Sequence, residues 1–141
     1  AKPHDWLTLT GGSIGQGLPL AVGAAIAKPD RPVIALHGDG GALYTIQAMW
    51  SQARENLNIT NIIFANNSYE ILKIELSRVG AIKTGKRADS MLSLENPSID
   101  WISLSKSMGV PSYQPNTVED FVKIFSSAVK EPGPTTIVIR I

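Results

Sequence analysis

Asp39 is the residue of this chain best placed to do chemistry. It lies in Gly38-Asp39-Gly40-Gly41, a carboxylate among residues with no side chain to crowd a ligand. Asn66-Asn67-Ser68-Tyr69 offers a complement in neutral amide oxygens. One hard anionic oxygen and one hard neutral oxygen suit Mg²⁺, which takes one or two protein groups and completes its octahedron with phosphate oxygens and water. Glycines 38, 40 and 41 permit unusual φ values and let a backbone approach a ligand closely. A helix starting just beyond them would turn free N–H groups toward an anion. The chemistry supported is Mg²⁺ holding a diphosphate.

The sequence between the two clusters says how they are brought together. Val33-Ile34-Ala35-Leu36-His37 is an apolar run of strand length that breaks at Gly38. Ile46, Met49, Trp50, Ala53 and Leu57 then recur at helical steps, and Ile62-Ile63-Phe64-Ala65 is a second apolar run. Strand, turn, helix, strand is a βαβ unit. Its strands are parallel and its crossover right-handed. Both polar clusters therefore fall at carboxyl ends of strands, the edge where open parallel sheets bind ligands.

With the spacer from Gly41 to Ala65, Gly38-Asp39-Gly40 followed by Asn66-Asn67 resembles the thiamin-diphosphate signature. The branch it is most similar to holds acetolactate synthase and benzoylformate decarboxylase. The resemblance covers the chain, residues 1–141, as one diphosphate-binding (PP) domain. It implies that Asp39, the Asn67 side chain and the Tyr69 backbone carbonyl ligate Mg²⁺. It places Gly40 and Gly41 on the diphosphate and makes Gly38 a further cofactor-binding residue.

Gly11-Gly12-Ser13-Ile14-Gly15-Gln16-Gly17 is a second glycine-rich stretch, opening a helix over Leu18 to Lys28. That helix is small and apolar on nearly all sides, so burial on more than one face is expected. Pro19 is tolerated in its first turn. A G-x-G-x-x-G dinucleotide fingerprint fails here, at Leu20 when started from Gly15 and at Ser13 and Gln16 when started from Gly11. By resemblance, Gly12, Ser13 and Ile14 cradle the middle of the cofactor. The Gly12 carbonyl would accept from the aminopyrimidine, and Ile14 would be the wedge that bends the molecule. By patterning alone, Ile14 reads as a core residue leading into a helix.

Tyr69 to Val79 is compatible with a helix, and Gly80 to Arg87 reads as a polar, basic, mobile loop. The resemblance makes Leu72 a cofactor contact and Leu72, Lys73 and Leu76 candidates for the substrate pocket. Helix patterning makes Leu72 and Leu76 core residues instead. Pyruvate decarboxylases carry glutamate where this chain has Lys73, which argues against simple aldehyde release from pyruvate.

The remaining elements read as scaffold. Leu7 to Thr10 has the alternation of a short strand. Ser98 or Asp100 caps a helix through Met108 that Gly109 ends. Val110 to Gln114 is a short strand, and Thr117 caps a helix through Lys130 whose apolar face is Val118, Phe121, Val122, Phe125 and Val129. Thr135 to Ile141 is a β-branched closing strand. The fold class expected is α/β: three layers, α/β/α, around a mainly parallel sheet. His4 and His37 lack partner spacing, and His37 reads as structural.

Composition bounds the rest. The 141 residues are 43% apolar and 18% charged, with a formal charge of +1 and no cysteine. That suits one globular domain with its own core, gives no electrostatic case for nucleic acid or membrane, and excludes disulfides and thiol catalysis. No signal peptide is visible and the chain opens without methionine, so a cytoplasmic fragment of a longer enzyme is expected.

The resemblance then implies a function: anchoring thiamin diphosphate and Mg²⁺ in an enzyme that acts on a small 2-oxo acid. Decarboxylation or carboligation would proceed through the cofactor's C2 ylid. The activating glutamate is expected on a separate pyrimidine-binding (PYR) domain, of the same or a neighbouring subunit in a homodimer or homotetramer. No catalytic residue is therefore assigned to this chain, and the isolated domain is expected to be inactive. A flavin (FAD) on a further domain stays open. The alternatives are a separate subunit of a split enzyme and a non-catalytic interaction module.

Overall fold

The computed structural model describes residues 3–81 and 85–141. Four strands, β1 (Val33–Gly38), β2 (Ile59–Ala65), β3 (Ser112–Tyr113) and β4 (Thr135–Arg140), form one sheet in the order β1-β2-β4-β3. Every pairing is parallel. The helices are α1 (Gly17–Ala27), α2 (Asp39–Leu43), α3 (Ala48–Arg54), α4 (Glu70–Arg78), α5 (Lys86–Met91), α6 (Trp101–Ser107) and α7 (Val118–Ala128).

Strand alternation sorts the core. Ile63, Ala65 and Val138 pack with Leu18 of α1, Met49 of α3 and Trp101 of α6. Ala35 and Ile59, on the same face of β1 and β2, meet Ala21 and Ala25 of α1. The residues between them, Ile62 and Ile137, face the other way and are buried too; α7 packs against β4. Helices on both faces give the expected three-layer α/β arrangement. A buried amide pair, Asn61 Nδ2 donating to Gln52 Oε1 at 2.7 Å, ties β2 to α3.

Caps form where side-chain chemistry places them. Asp100, rather than Ser98, caps α6 by accepting from the Ser103 N–H at 3.0 Å. Two side-chain and backbone bonds from Ser103 hold its carboxyl below the usual carboxylate range. Thr117 caps α7 by accepting from the Asp120 N–H at 3.1 Å. Gly109 follows α6 at φ +82, a left-handed turn that glycine enters without strain.

Several expectations are corrected. Leu7 to Thr10 forms no strand; Thr10–Gly12 makes one 3₁₀ turn, and Leu7 and Leu9 are exposed. The helix expected between the first two strands is two pieces, α2 and α3, joined by a turn. α1 buries one stripe, Leu18, Ala21 and Ala25, while Ile26 is exposed. β1 is not buried on both faces: Ala35 is covered, but Ile34 and Leu36 are each 47% exposed. Val118 and Val122 of α7 are likewise exposed, and its apolar contact comes from stacked Phe121 and Phe125 and buried Ala128. Of the basic stretch Gly80–Arg87, residues 82–84 lie outside the described residues, and Lys86 and Arg87 open α5.

Candidate functional site

The β1–β2 register sets the site. Pairing runs from Val33↔Ile59 to Gly38↔Phe64, so the two strands end side by side. The chain turns at once into α2 after Gly38, and into the Asn66–Tyr69 loop after Ala65. Asp39 and Asn67, distant in sequence, meet there.

Asp39 is 2% exposed. Its Oδ1 accepts the Gly40 N–H at 2.9 Å, and its Oδ2 accepts the Asn67 N–H at 2.8 Å. Among the described residues it makes no ion pair. Buried charges are normally paired or bound to metal. Two hydrogen bonds leave the carboxylate with further lone pairs for a cation.

Asn67 has φ +54, and its side-chain Oδ1 is buried with no hydrogen-bond partner. Buried acceptors are rarely left unpaired, and a missing ion is one of the standard reasons. Asn66 has a different job: its Oδ1 accepts the Ser68 N–H at 3.0 Å, shaping the loop. Among the described residues no three His, Asp or Glu side chains converge as a metal cage. A donor set of one carboxylate and one amide oxygen is instead what Mg²⁺ uses when phosphate supplies the rest. The residues fit that group.

The third expected ligand is otherwise engaged. The Tyr69 carbonyl caps α4, accepting the Leu72 N–H at 3.0 Å and the Lys73 N–H at 3.4 Å. Its ring lies over Gly40, where an added Cβ would come within 2.7 Å of Cε1. This explains the glycine. Glycines 38, 40 and 41 all have φ outside the positive region, contrary to the expectation of unusual backbone angles. Gly38 ends β1, and Gly40 and Gly41 lie inside α2 rather than in a loop before it. Gly40 is needed because there is no room for a side chain.

The Gly11–Gly17 stretch lies beside this turn. Gly11, Gly12 and Gly15 have φ of +62, +67 and +91. The Gly12 carbonyl accepts the Ile14 N–H at 2.9 Å, and the Gly15 carbonyl accepts the Thr45 hydroxyl at 2.6 Å. Ser13 is exposed, its carbonyl accepting the Gln16 N–H. Ile14 is 51% exposed, which rules out a core residue. It lines a cavity of about 250 Å³ together with Gly38 and Gly41. Of the expected site residues, Ile14, Gly38 and Gly41 line this hollow, whereas Gly12, Ser13, Asp39, Gly40, Asn67 and Tyr69 do not. His37 borders it, with Nε2 buried and unpaired; desolvation lowers the ring's pKa to about 4.

Leu72, Lys73 and Leu76 are not brought into this cavity. Leu72 is 45% exposed on α4, a helix with no buried residue, so the core reading fails there too. Lys73 pairs with Glu70 at 3.2 Å on the surface.

Sequence reasoning missed the segment Leu92–Leu94. It runs antiparallel to the Asn66–Tyr69 loop, bridging Ser68 to Ser93. Leu94 donates its N–H to the Asn67 carbonyl at 2.7 Å, and Leu92 accepts the Tyr69 N–H at 2.9 Å. Backbone pairing of this kind leaves no mark on residue type. Only the polar Ser68 and Ser93 hint at it.

Comparison with known proteins places this geometry. Residues 1–139 match the family model for the C-terminal TPP-binding domain of thiamine pyrophosphate enzymes. Over 135 residues the chain is 52% identical to "Putative acetolactate synthase large subunit IlvX" of Mycobacterium tuberculosis, covering 95% of this chain and 26% of that one. It is 33% identical to acetolactate synthase 2, chloroplastic, of Brassica napus, covering 94% and 21%. The solved structure of a thiamine diphosphate-dependent 4-hydroxybenzoylformate decarboxylase from Rhodococcus jostii RHA1 superposes with a TM-score of 0.81 at 39% identity, covering 92% and 23%. The chain spans about a fifth to a quarter of the length of these relatives. With a parallel sheet whose strand ends carry Asp39 and Asn67 in the family's signature order, the chain belongs to the thiamine pyrophosphate enzymes, as their C-terminal TPP-binding domain.

Proposed function

We propose that this chain anchors thiamin diphosphate through Mg²⁺ in an enzyme that decarboxylates a 2-oxo acid, with or without ligating the product to a second carbonyl. The observation that carries the reading is the buried pair at the strand ends. Asp39 is a buried carboxylate with no cationic partner among the described residues, and the Asn67 amide oxygen is buried and unpaired. Asp39 and Asn67 hold the metal, and the Tyr69 carbonyl joins them by releasing its longer contact, that to Lys73. Gly40 and Gly41 leave their backbone open to the diphosphate. Gly12 and Ile14 orient the rest of the cofactor from the neighbouring loop. Metal in this role is a template rather than a Lewis acid on substrate.

Bound thiamin diphosphate supplies the nucleophilic carbon and the sink for the electrons that decarboxylation releases. This chain supplies half of the site. Its cavity of about 250 Å³ is open and falls below the roughly 300–1,000 Å³ of a complete small-molecule site. Ile71, Leu72 and Ile74 of α4, Val79 just after it and Met91 of α5 are each exposed apolar side chains that a covering domain would bury. A PYR domain, from the same or a neighbouring subunit, fills that place and brings the activating glutamate.

The test uses the full-length protein: thiamin diphosphate binding with and without Mg²⁺, then turnover of pyruvate and benzoylformate. Mg²⁺-dependent binding with turnover of a 2-oxo acid is expected. Cofactor binding that ignores Mg²⁺, or that survives Asp39→Ala unchanged, overturns the proposal.

A further inference from the structure

We propose that Leu92–Leu94 is the clamp that positions the metal loop, with Leu94 as its central residue. The inference rests on the functional reading above and extends it to residues outside the signature. Asn67 stands at φ +54, a conformation that costs a non-glycine residue energy unless its surroundings fix it. Two bonds fix it. The Leu94 N–H donates to the Asn67 carbonyl at 2.7 Å, and the Tyr69 N–H donates to the Leu92 carbonyl at 2.9 Å. The first is the shortest backbone bond of the loop.

Leu94 also touches the other half of the site. Its Cδ1 lies 3.7 Å from where a Gly40 Cβ would stand, beside the Tyr69 ring. One residue therefore holds Asn67 by its backbone and covers the Asp39 turn by its side chain. The Asn67 N–H is bound to Asp39 and the Asn67 carbonyl to Leu94, so the two peptide units on either side of the Asn67 Cα are both held, which fixes its φ and ψ. The amide oxygen then stays buried and unpaired, and the donor pair is set before metal arrives. Preorganisation of this kind shows in metal affinity, where loss of a supporting hydrogen bond typically costs about 10–100-fold.

Leu94 acts through Asn67 and is a positioning residue. In the full-length protein, Leu94→Pro removes the N–H, while Leu94→Met keeps it along with the bulk. The measurement is Mg²⁺ affinity by titration in the presence of thiamin diphosphate, with wild type and Asp39→Ala alongside. Leu94→Pro is expected to weaken Mg²⁺ about 10–100-fold with Leu94→Met near wild type. If wild type binds Mg²⁺ and Asp39→Ala does not, yet Leu94→Pro equals wild type, the clamp is wrong and the functional reading stands. If wild type itself takes no Mg²⁺, that reading falls and the clamp with it. Should Leu94→Pro not fold, hydrogen exchange in the wild-type protein decides. Slow exchange of the Leu94 and Tyr69 amides, slower still with Mg²⁺ and cofactor, supports the clamp; exchange at the rate of an open loop overturns it.

Discussion

The Asn67 N–H donates to Asp39 Oδ2 across 2.8 Å and a sequence separation of 28 residues. This bond joins the ends of two parallel strands through the same carboxylate that we propose holds the metal. On the proposed function Asp39 is both a structural pin and a ligand, and the two duties can be separated by substitution.

Asp39→Ala should abolish Mg²⁺-dependent cofactor binding, and Asp39→Asn should weaken it at least about 100-fold by removing the charge. The stability effects run differently. Alanine leaves the Gly40 and Asn67 N–H groups without acceptors, at a cost of about 1–3 kcal/mol each where burial is complete. Asparagine keeps one acceptor and should melt between alanine and wild type. Thermal unfolding of the cofactor-free protein checks the order. If both variants melt with wild type, Asp39 is no pin.

Gly40 and Gly41 should respond oppositely to alanine. Both lie in α2, where Gly→Ala ordinarily gains about 1 kcal/mol. A Cβ at Gly41 would meet Ile14 Cγ2 at 3.8 Å, an ordinary contact, so Gly41→Ala keeps that gain. A Cβ at Gly40 would stand 2.7 Å from the Tyr69 ring, and overpacking of that kind costs about 1–3 kcal/mol. Chemical unfolding should therefore show Gly41→Ala at or above wild-type stability and Gly40→Ala below it. Equal midpoints would mean that the ring does not rest on the turn.

These residues also show what a sequence can and cannot convey. The β1–β2 unit and its two polar ends were legible because strand runs and turn breakers are local signals, and a parallel pair brings its ends together. The Thr117 and Asp100 caps were legible because cap chemistry sits within three residues. Gly40 was misread: a glycine in sequence does not say whether it serves a positive φ or a missing Cβ, and only the Tyr69 ring decides. Leu7 to Thr10 alternates like a strand, but pairing needs a neighbour, and none of the described strands pairs with it. The Leu92–Leu94 clamp was invisible because it works through backbone atoms that every residue has.

Ile14 tests orientation apart from stability. It is 51% exposed and contributes little to the core, so Ile14→Ala should shift unfolding by less than about 0.5 kcal/mol. If Ile14 bends the cofactor, the same variant should lose turnover sharply, since misplacing reacting atoms by about 1 Å can cost on the order of 100-fold. The informative result is the split: kcat for a 2-oxo acid down, with cofactor affinity and melting nearly unchanged. Unchanged kcat would remove Ile14 from the site.

His37 carries a pH signature of its own. Its ring packs against Gly17, where an added Cβ would meet Nδ1 at 2.6 Å, and burial lowers its pKa from 6.5 to about 4. A lowered folded-state pKa means that the unfolded chain binds the proton first as pH falls. Between pH 6.5 and about 4 the unfolded state therefore gains on the native one; above pH 6.5 neither form is protonated and the term vanishes. At about 1.4 kcal/mol per pKa unit, the loss is on the order of 3 kcal/mol by pH 4. His37→Gln removes the term. Carboxylates titrate in both proteins and cancel in the difference, so the wild-type urea midpoint of the cofactor-free pair should fall progressively relative to that of the variant from pH 7 to pH 4.5. A difference that stays constant across that range would show that the His37 ring is solvated and protonates normally.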